Sequence, residues 1–415
     1  MTPASPSRWL GIAGSLMVGL FVAYIDRSNL SVGLAEIAKD LGFAGADFAV
    51  TSSWLLTIFL IGYALANILG GLLTRRYDPK WVVISMFALW SVATLVAGFA
   101  SSVAVLLVCR LILGIAEGVY WPQQSRFASA WFAPRELTRA NSIIQYYGQF
   151  GALALGFFIL TPLCEAIGWR HTFLLTGAIG LVFIVPLYWL ALKPQRQAPY
   201  YQASSAQRPP ALTFQALGGS AFVLLVISYI TQGMLFWGIT LWIPMVVKSL
   251  GYSGWAQAGF SALPYAAALL LAVPMAMISD RSNKRVLVAS LGLIIPGAIL
   301  LLLPQFAEGY AKLVVLTVAM GFYASSYTPN IWSILQTTVA PSAVGPASGI
   351  MNGLGAGGGG TLAGFMVGML YQATGSYTTG FVVLGALVIL GGVLLLVSGQ
   401  LTARRRGAPQ VAVAR

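Results

Sequence analysis

Four ionisable side chains interrupt long apolar stretches: Asp26 and Arg27 late in the first stretch, Arg110 and Glu117 in the fourth. Each is costly in hydrocarbon, so residues of this kind mark ion pathways, proton relays or binding sites. Arg110 and Glu117 are seven residues apart, about two helical turns, and share a face; Tyr24 and Arg27, three apart, also share one. Asp26 points roughly 100° away from Arg27, toward a different neighbour. The four formal charges sum to zero, so an empty cavity can hold them as an ion-pair network with spare guanidinium donors for a carboxylate. An incoming anion then competes with Asp26 and Glu117 for the same guanidinium groups, and protonating an acid frees the arginine for it. The plainer reading is a network that only fastens helices 1 and 4, but charges in lipid are seldom used that way.

Other reactive chemistry is thin. His171 is the single histidine, in Trp169-Arg170-His171, and reads as a solvated loop residue. Cys109 and Cys164 lack metal-ligand spacing and read as small buried hydrophobes, so no metal is expected. Gly357 to Gly360 lies in an apolar run without a following Gly-Lys-Ser/Thr, so no nucleotide cradle is implied. With no nucleophile constellation and no soluble catalytic or signalling domain, neither an enzyme nor a receptor is indicated, and no cofactor is expected.

The positioning elements follow from composition. The 415 residues are 58% hydrophobic and 8% charged, with mean hydropathy +0.83, against about a quarter charged for a soluble domain. The bilayer must be the solvent. Continuous apolar runs, rather than alternating segments, exclude a β-barrel and predict helices. Hydropathy predicts spans near 10–35, 50–73, 81–101, 104–128, 137–163, 172–194, 215–247, 256–279, 286–305, 311–337, 343–371 and 378–402. The first continues through Tyr24 to Arg27 without a cleavage pattern and reads as a retained span. The expected organisation is an all-α membrane protein: a six-helix half at 1–194, a linker at 195–214, a second half at 215–402 and a tail at 403–415.

Of the 23 Lys and Arg residues, Arg27 and Arg110 lie within spans. Seventeen fall on one side: Arg8, Arg75, Arg76, Lys80, Arg126, Arg135, Arg139, Lys193, Arg196, Arg208, Arg281, Lys284, Arg285, Arg404 to Arg406 and Arg415. Four fall on the other: Lys39, Arg170, Lys248 and Lys312. The positive-inside rule therefore predicts cytoplasmic termini and a cytoplasmic linker. The net charge of +13 is spent on topology, and no nucleic-acid partner is implied.

Two charged turns recur half a chain apart: Gly70-Gly71-Leu72-Leu73-Thr74-Arg75-Arg76-Tyr77-Asp78-Pro79-Lys80, and Ser279-Asp280-Arg281-Ser282-Asn283-Lys284-Arg285. They indicate a repeat of two six-helix halves in the same orientation. The turns resemble the G-x-x-x-D-R-x-G-R-R signature of the major facilitator superfamily. The first has Thr74 at the Asp position; the second keeps Asp280-Arg281, where an Asp can pair with Arg and accept from a helix N-terminus to latch one side shut.

Tyr24-Ile25-Asp26-Arg27-Ser28-Asn29-Leu30-Ser31-Val32 resembles the Y-x-D-R-x-N-L-S/A-V segment of the anion:cation symporter family, which includes bacterial sugar-acid and aromatic-acid transporters. Arg110 to Glu117 is similar to its helix-4 R-x-x-x-G-x-x-E, and Tyr63 to Gly71 to its Y-x-x-x-Q-x-P-G-G, with Asn67 and Leu69 replacing Gln and Pro. Gly148-Gln149-Phe150, Gly168-Trp169-Arg170 and Leu241-Trp242-Ile243-Pro244 resemble further family segments. The resemblance implies alternating access of a monomer in the bacterial cytoplasmic membrane, with a small organic anion and protons as partners. It places Tyr24, Arg27, Tyr63 and Gln149 in the substrate site, with Asp26 and Glu117 carrying protons and Arg110 tuning Glu117. In the second half it suggests Trp237, Ser326, Thr328 and Asn352 as neutral donors. The glycine run at Gly353 to Gly360 reads as close helix packing rather than room for a bulky substrate. Tyr120, Trp121 and Trp131 read as an interfacial aromatic belt, with Tyr120 within reach of the cavity. A proton-driven exporter is the rival on the same fold, but such antiporters carry a Gly-Pro pair in helix 5, absent from 137–163. An uncoupled facilitator is the other alternative.

Overall fold

Long apolar runs can satisfy their backbone polar groups in a bilayer by coiling into helices, and the computed structural model folds the chain that way. The structure describes residues 8–43, 47–201, 211–249, 251–252, 254–306, 310–374 and 377–407. Arg208 and Arg415 of the basic set lie outside the described residues, as do the side chains of Leu241, Trp242, Ile243 and Pro244.

Among the described residues there are twelve helical passes: α1 (Trp9–Asp40), α2 (Phe48–Leu73), α3 (Pro79–Gly98), α4 (Val103–Trp131), α5 (137–167), α6 (169–191), α7 (Gly219–Ser249), α8 (Gly254–Ser282), α9 (Arg285–Leu301), α10 (310–338), α11 (344–374) and α12 (Tyr377–Gly407). Asp78 caps α3 by accepting from Lys80 N at 3.0 Å, with Pro79 at the first helical position. Between α5 and α6 the expected loop is missing. Gly168 alone breaks the helix, at φ 76° and ψ 162°, a conformation that a residue with a Cβ avoids. His171 therefore sits in the first turn of α6, its Nδ1 2.9 Å from Ile167 O, rather than in a loop.

Nine helical stretches among the described residues are long and apolar enough to cross a membrane. α10, α11 and the first part of α5 are not among them. The polarity of α5 and α10 is internal: Asn141, Gln145, Asn330, Ser333 and Gln336 are all buried, because these helices face the other half rather than lipid. Apolar side chains such as Leu65, Leu69, Val108 and Leu270 cover the outside instead.

The helices form two six-helix halves. In the first, α2 packs on α4 and α1 on α5; in the second, α9 and α7 pack on α12, and α8 on α10. The halves meet where α2 and α4 touch α11, and α5 touches α8 and α10. Polar bonds join the halves at the end bearing the Arg-rich turns, called here the basic end. There Asp280 Oδ1 accepts from Arg285 Nη2 at 2.7 Å, while Oδ2 accepts from Arg139 N at 3.1 Å and Nε at 3.4 Å. Arg285 also crosses to the first half, donating to Thr138 Oγ1 at 2.9 Å and to Pro134 O. At the place of Asp280 the first copy of the turn has Thr74 rather than a carboxylate. Arg126 holds it instead, through Thr74 O at 3.1 Å, Tyr77 O at 3.0 Å and Gln195 Oε1 at 3.0 Å.

Candidate functional site

Midway along the helices, between the halves, lies a narrow cavity of about 40 Å³. Tyr24 and Arg27 on α1, Tyr63 on α2 and Gln149 on α5 line one wall. Trp237 on α7, Thr328 on α10 and Asn352 on α11 line the other. Ser326 does not. It is fully buried and turned to α9, where a Cβ at Gly292 would lie 2.9 Å from its own Cβ. The half-turn between Ser326 and Thr328 puts the two side chains on opposite sides of α10.

Arg27 is the cation at this cavity among the described residues. Its guanidinium sits in an aromatic cage, 4.5 Å from the centre of the Tyr24 ring, 4.9 Å from Phe59 and 5.3 Å from Tyr63. Such faces stabilise a cation that has left water. Behind the cage, Arg27 Nη2 pairs with Glu117 Oε2. Glu117 is 3% exposed and its Oε1 has no hydrogen-bond partner among the described residues. Arg110 lies one step further from the cavity, over Phe59 at 4.6 Å, with Nε donating to Leu55 O at 3.3 Å.

Asp26 faces away from the cavity, as the 100° offset predicts. It shares a face of α1 with Asn29, whose Nδ2 donates to Thr176 Oγ1 of α6 at 2.7 Å. Asp26 is 2% exposed, and neither carboxyl oxygen has a hydrogen-bond partner among the described residues. The four membrane charges thus split into one ion pair, Arg27 with Glu117, an Arg110 set behind Phe59, and a separate buried acid.

Asn352 ties the halves together below the cage. Its Nδ2 donates to Tyr63 OH at 2.7 Å and Asn67 Oδ1 at 3.0 Å, and its Oδ1 accepts from Tyr229 OH at 3.2 Å. Toward the basic end, Trp332 Nε1 donates to Tyr146 OH at 2.8 Å and the Trp332 ring stacks on Trp121 at 6.3 Å. Below these, Asn141 Nδ2 donates to Gln336 Oε1 at 2.9 Å, and Gln336 Nε2 to Ser125 Oγ at 2.9 Å. The cavity floor is therefore closed by bonds that cross between halves.

Two wide π-type turns flank the site, Ser142–Tyr147 in α5 and Gly353–Gly359 in α11. Such turns re-aim side chains and often occur at functional positions. The glycines of α11 let backbones approach: a Cβ at Gly355 would lie 2.1 Å from the Tyr229 ring, and one at Gly233 would lie 2.1 Å from Gly355 O.

Sequence reasoning overlooked Tyr146, Tyr229, Gln232, Phe236 and Tyr323, all of which line the cavity. Trp121 is a correction: it lines the cavity and is 5% exposed, not part of an interfacial belt. Tyr120 turns the other way, its hydroxyl 2.5 Å from that of Tyr188. The available signal was spacing, since Tyr229, Gln232 and Phe236 fall within two turns on one face of α7.

The sequence pattern of the Major Facilitator Superfamily matches residues 16–363 and 254–413. A protein of Cupriavidus necator named "Probable sulfoacetate transporter" is 28% identical over 93% of this chain and 92% of its own. The hexuronate transporter of Bacillus subtilis is 25% identical, over 90% and 91% respectively. Among solved structures, the human organic anion transporter MFSD10 superposes with a TM-score of 0.72 at 17% identity, covering 94% of this chain and all of the other. At that identity the likeness concerns the fold.

Proposed function

The chain belongs to the Major Facilitator Superfamily, whose members are transporters rather than enzymes, and from that premise we propose that it is a proton-coupled symporter of a small organic anion. The observation that carries this reading is the guanidinium of Arg27, held at a cavity between two six-helix halves by a buried carboxylate that an anion can displace. The names of the two relatives, a sulfoacetate and a hexuronate transporter, support an acidic substrate.

In this reading Arg27 receives the carboxylate, while Tyr24, Tyr63, Gln149, Trp237, Thr328 and Asn352 frame the rest of the molecule. Protonating Glu117 neutralises the partner of Arg27 and frees donors for substrate. Asp26, away from the cavity, is the second proton site, and Arg110 tunes Glu117. The halves rock about the cavity. We take the basic end as the cytoplasmic one in a bacterial inner membrane, and a closed floor at that end fits loading from outside. An exporter has no need of a lone guanidinium in its cavity, so the symporter accounts for Arg27 better.

The test is uptake of radiolabelled organic acids by liposomes holding the purified protein, with and without an inward proton gradient. Gradient-driven accumulation that vanishes in Arg27→Ala is expected. Uptake that ignores both the gradient and Arg27 would return the choice to a facilitator or exporter.

A further inference from the structure

The lining of the cavity also bears on which anion fits. Resting on the anion-transport reading above, we infer that the substrate, unlike the sulfoacetate and hexuronate of the relatives' names, is a singly charged acid with a flat, apolar body, in the manner of an aromatic monocarboxylate, and neither a dianion nor a polyhydroxylated acid.

Charge is the first reason. Arg27 is the cation at the cavity among the described residues. Arg110 is 5% exposed, bonded to Leu55 O, and stands behind Phe59. No cation on α7 to α12 lines the opposite wall among the described residues. A second carboxylate would enter a site of neutral groups, where an uncompensated buried charge is costly.

The second reason is that the polar groups are largely committed to one another. Asn352 serves Tyr63, Asn67 and Tyr229. Gln232 Nε2 donates to Tyr323 OH, Thr328 Oγ1 to Ala324 O, and Trp237 Nε1 to Ala356 O at 3.1 Å. Gln149 is the lining amide with no such bond among the described residues. A polyhydroxylated chain needs a partner for each hydroxyl, and each one buried without a partner weakens binding. Gln149 and the unused halves of Gln232 and the tyrosine hydroxyls are what remain, fewer than a chain of hydroxyls with a carboxylate at one end requires.

The third reason is the walls themselves. Phe150 from α5 and Phe236 from α7 meet edge to face across the halves at 6.3 Å. Tyr24, Trp121, Tyr229 and Trp237 add further rings. Rings on both sides of a narrow space suit a flat body by stacked and edge contacts.

The experiment separates charge from body with four labelled acids: benzoate, its dianionic relative terephthalate, gluconate and its dianionic relative glucarate. Binding is measured by equilibrium dialysis on the purified protein in lipid nanodiscs, free of passive leakage. Benzoate is expected to bind at least about tenfold more tightly than each of the other three. Trp237→Ala, checked for an unchanged elution profile, is expected to weaken benzoate about tenfold, and Arg27→Ala to abolish its binding. Gluconate or either dianion binding as tightly as benzoate overturns this inference while leaving anion transport intact. Binding of none of the four, together with no uptake of any organic acid, removes the anion reading as well.

Discussion

The pairing of Arg27 with Glu117 sets two substitutions apart. Arg27→Lys keeps the charge but loses the planar fork that engages a carboxylate by two parallel bonds, and it disturbs the cage of Tyr24, Phe59 and Tyr63. We expect substrate affinity to fall by at least about tenfold, the equivalent of roughly 1.4 kcal/mol, read in the same dialysis assay. Glu117→Gln removes the acid but keeps a hydrogen-bonding partner for Arg27. It should bind substrate and support exchange across the membrane, yet fail to accumulate substrate against a gradient. Accumulation at the wild-type level would exclude Glu117 from proton coupling. These residues were legible in the sequence because the bilayer makes a buried charge conspicuous, and the helical offset even separated Asp26 from Arg27. The aromatic wall was not. A Tyr or Trp in an apolar span looks the same whether it faces lipid, core or cavity, and Trp121 reads as a belt residue for that reason.

At the scale of helices, the wide turn in α11 and its glycines decide how close α7 can come. Gly233 and Gly355 are in backbone contact, and Gly355 also lies under the ring of Tyr229. Gly355→Val would drive a branched side chain into that ring and into the backbone of α7, with no flexible tip to give way. The expected result is a lower unfolding temperature in detergent and weakened substrate binding, since Tyr229 and Trp237 belong to the same helix. Gly358→Ala is the control: a Cβ there has nothing within 4 Å, and stability should stay near wild type. A glycine run signals close packing from sequence alone, and the packing is found at Gly353, Gly355 and Gly359. The wide turns and the one-residue break at Gly168 were invisible, because hydropathy reports that a segment is apolar and says nothing of how many residues complete each turn.

For the whole molecule the question is what keeps the basic end shut, and the two copies of the charged turn answer it unequally. Thr74 occupies the place of an acid, and its hydroxyl accepts from Gln123 Nε2 at 2.8 Å within the first half. The second copy supplies the crossing bonds. Arg139 of the first half and Arg285 of the turn itself both reach Asp280, but their surroundings differ: the Arg139 side chain is 37% exposed and that of Arg285 10% exposed. An exposed pair is screened and contributes about 0–1 kcal/mol, whereas losing one partner of a buried, multiply bonded pair costs several times more. Arg285 also donates to Thr138 and Pro134 across the divide. Arg285→Ala should therefore open the basic end more than Arg139→Ala does. Spin labels at Tyr77 and Lys284, one on each half, would report it as a longer distance by pulsed electron resonance in a background lacking Cys109 and Cys164. Equal shifts for the two variants would mean that the polar seal around Asn141, Gln336 and Trp332, deeper in the interface, holds the end closed. In that case Gln336→Ala should produce the opening that Arg285→Ala did not.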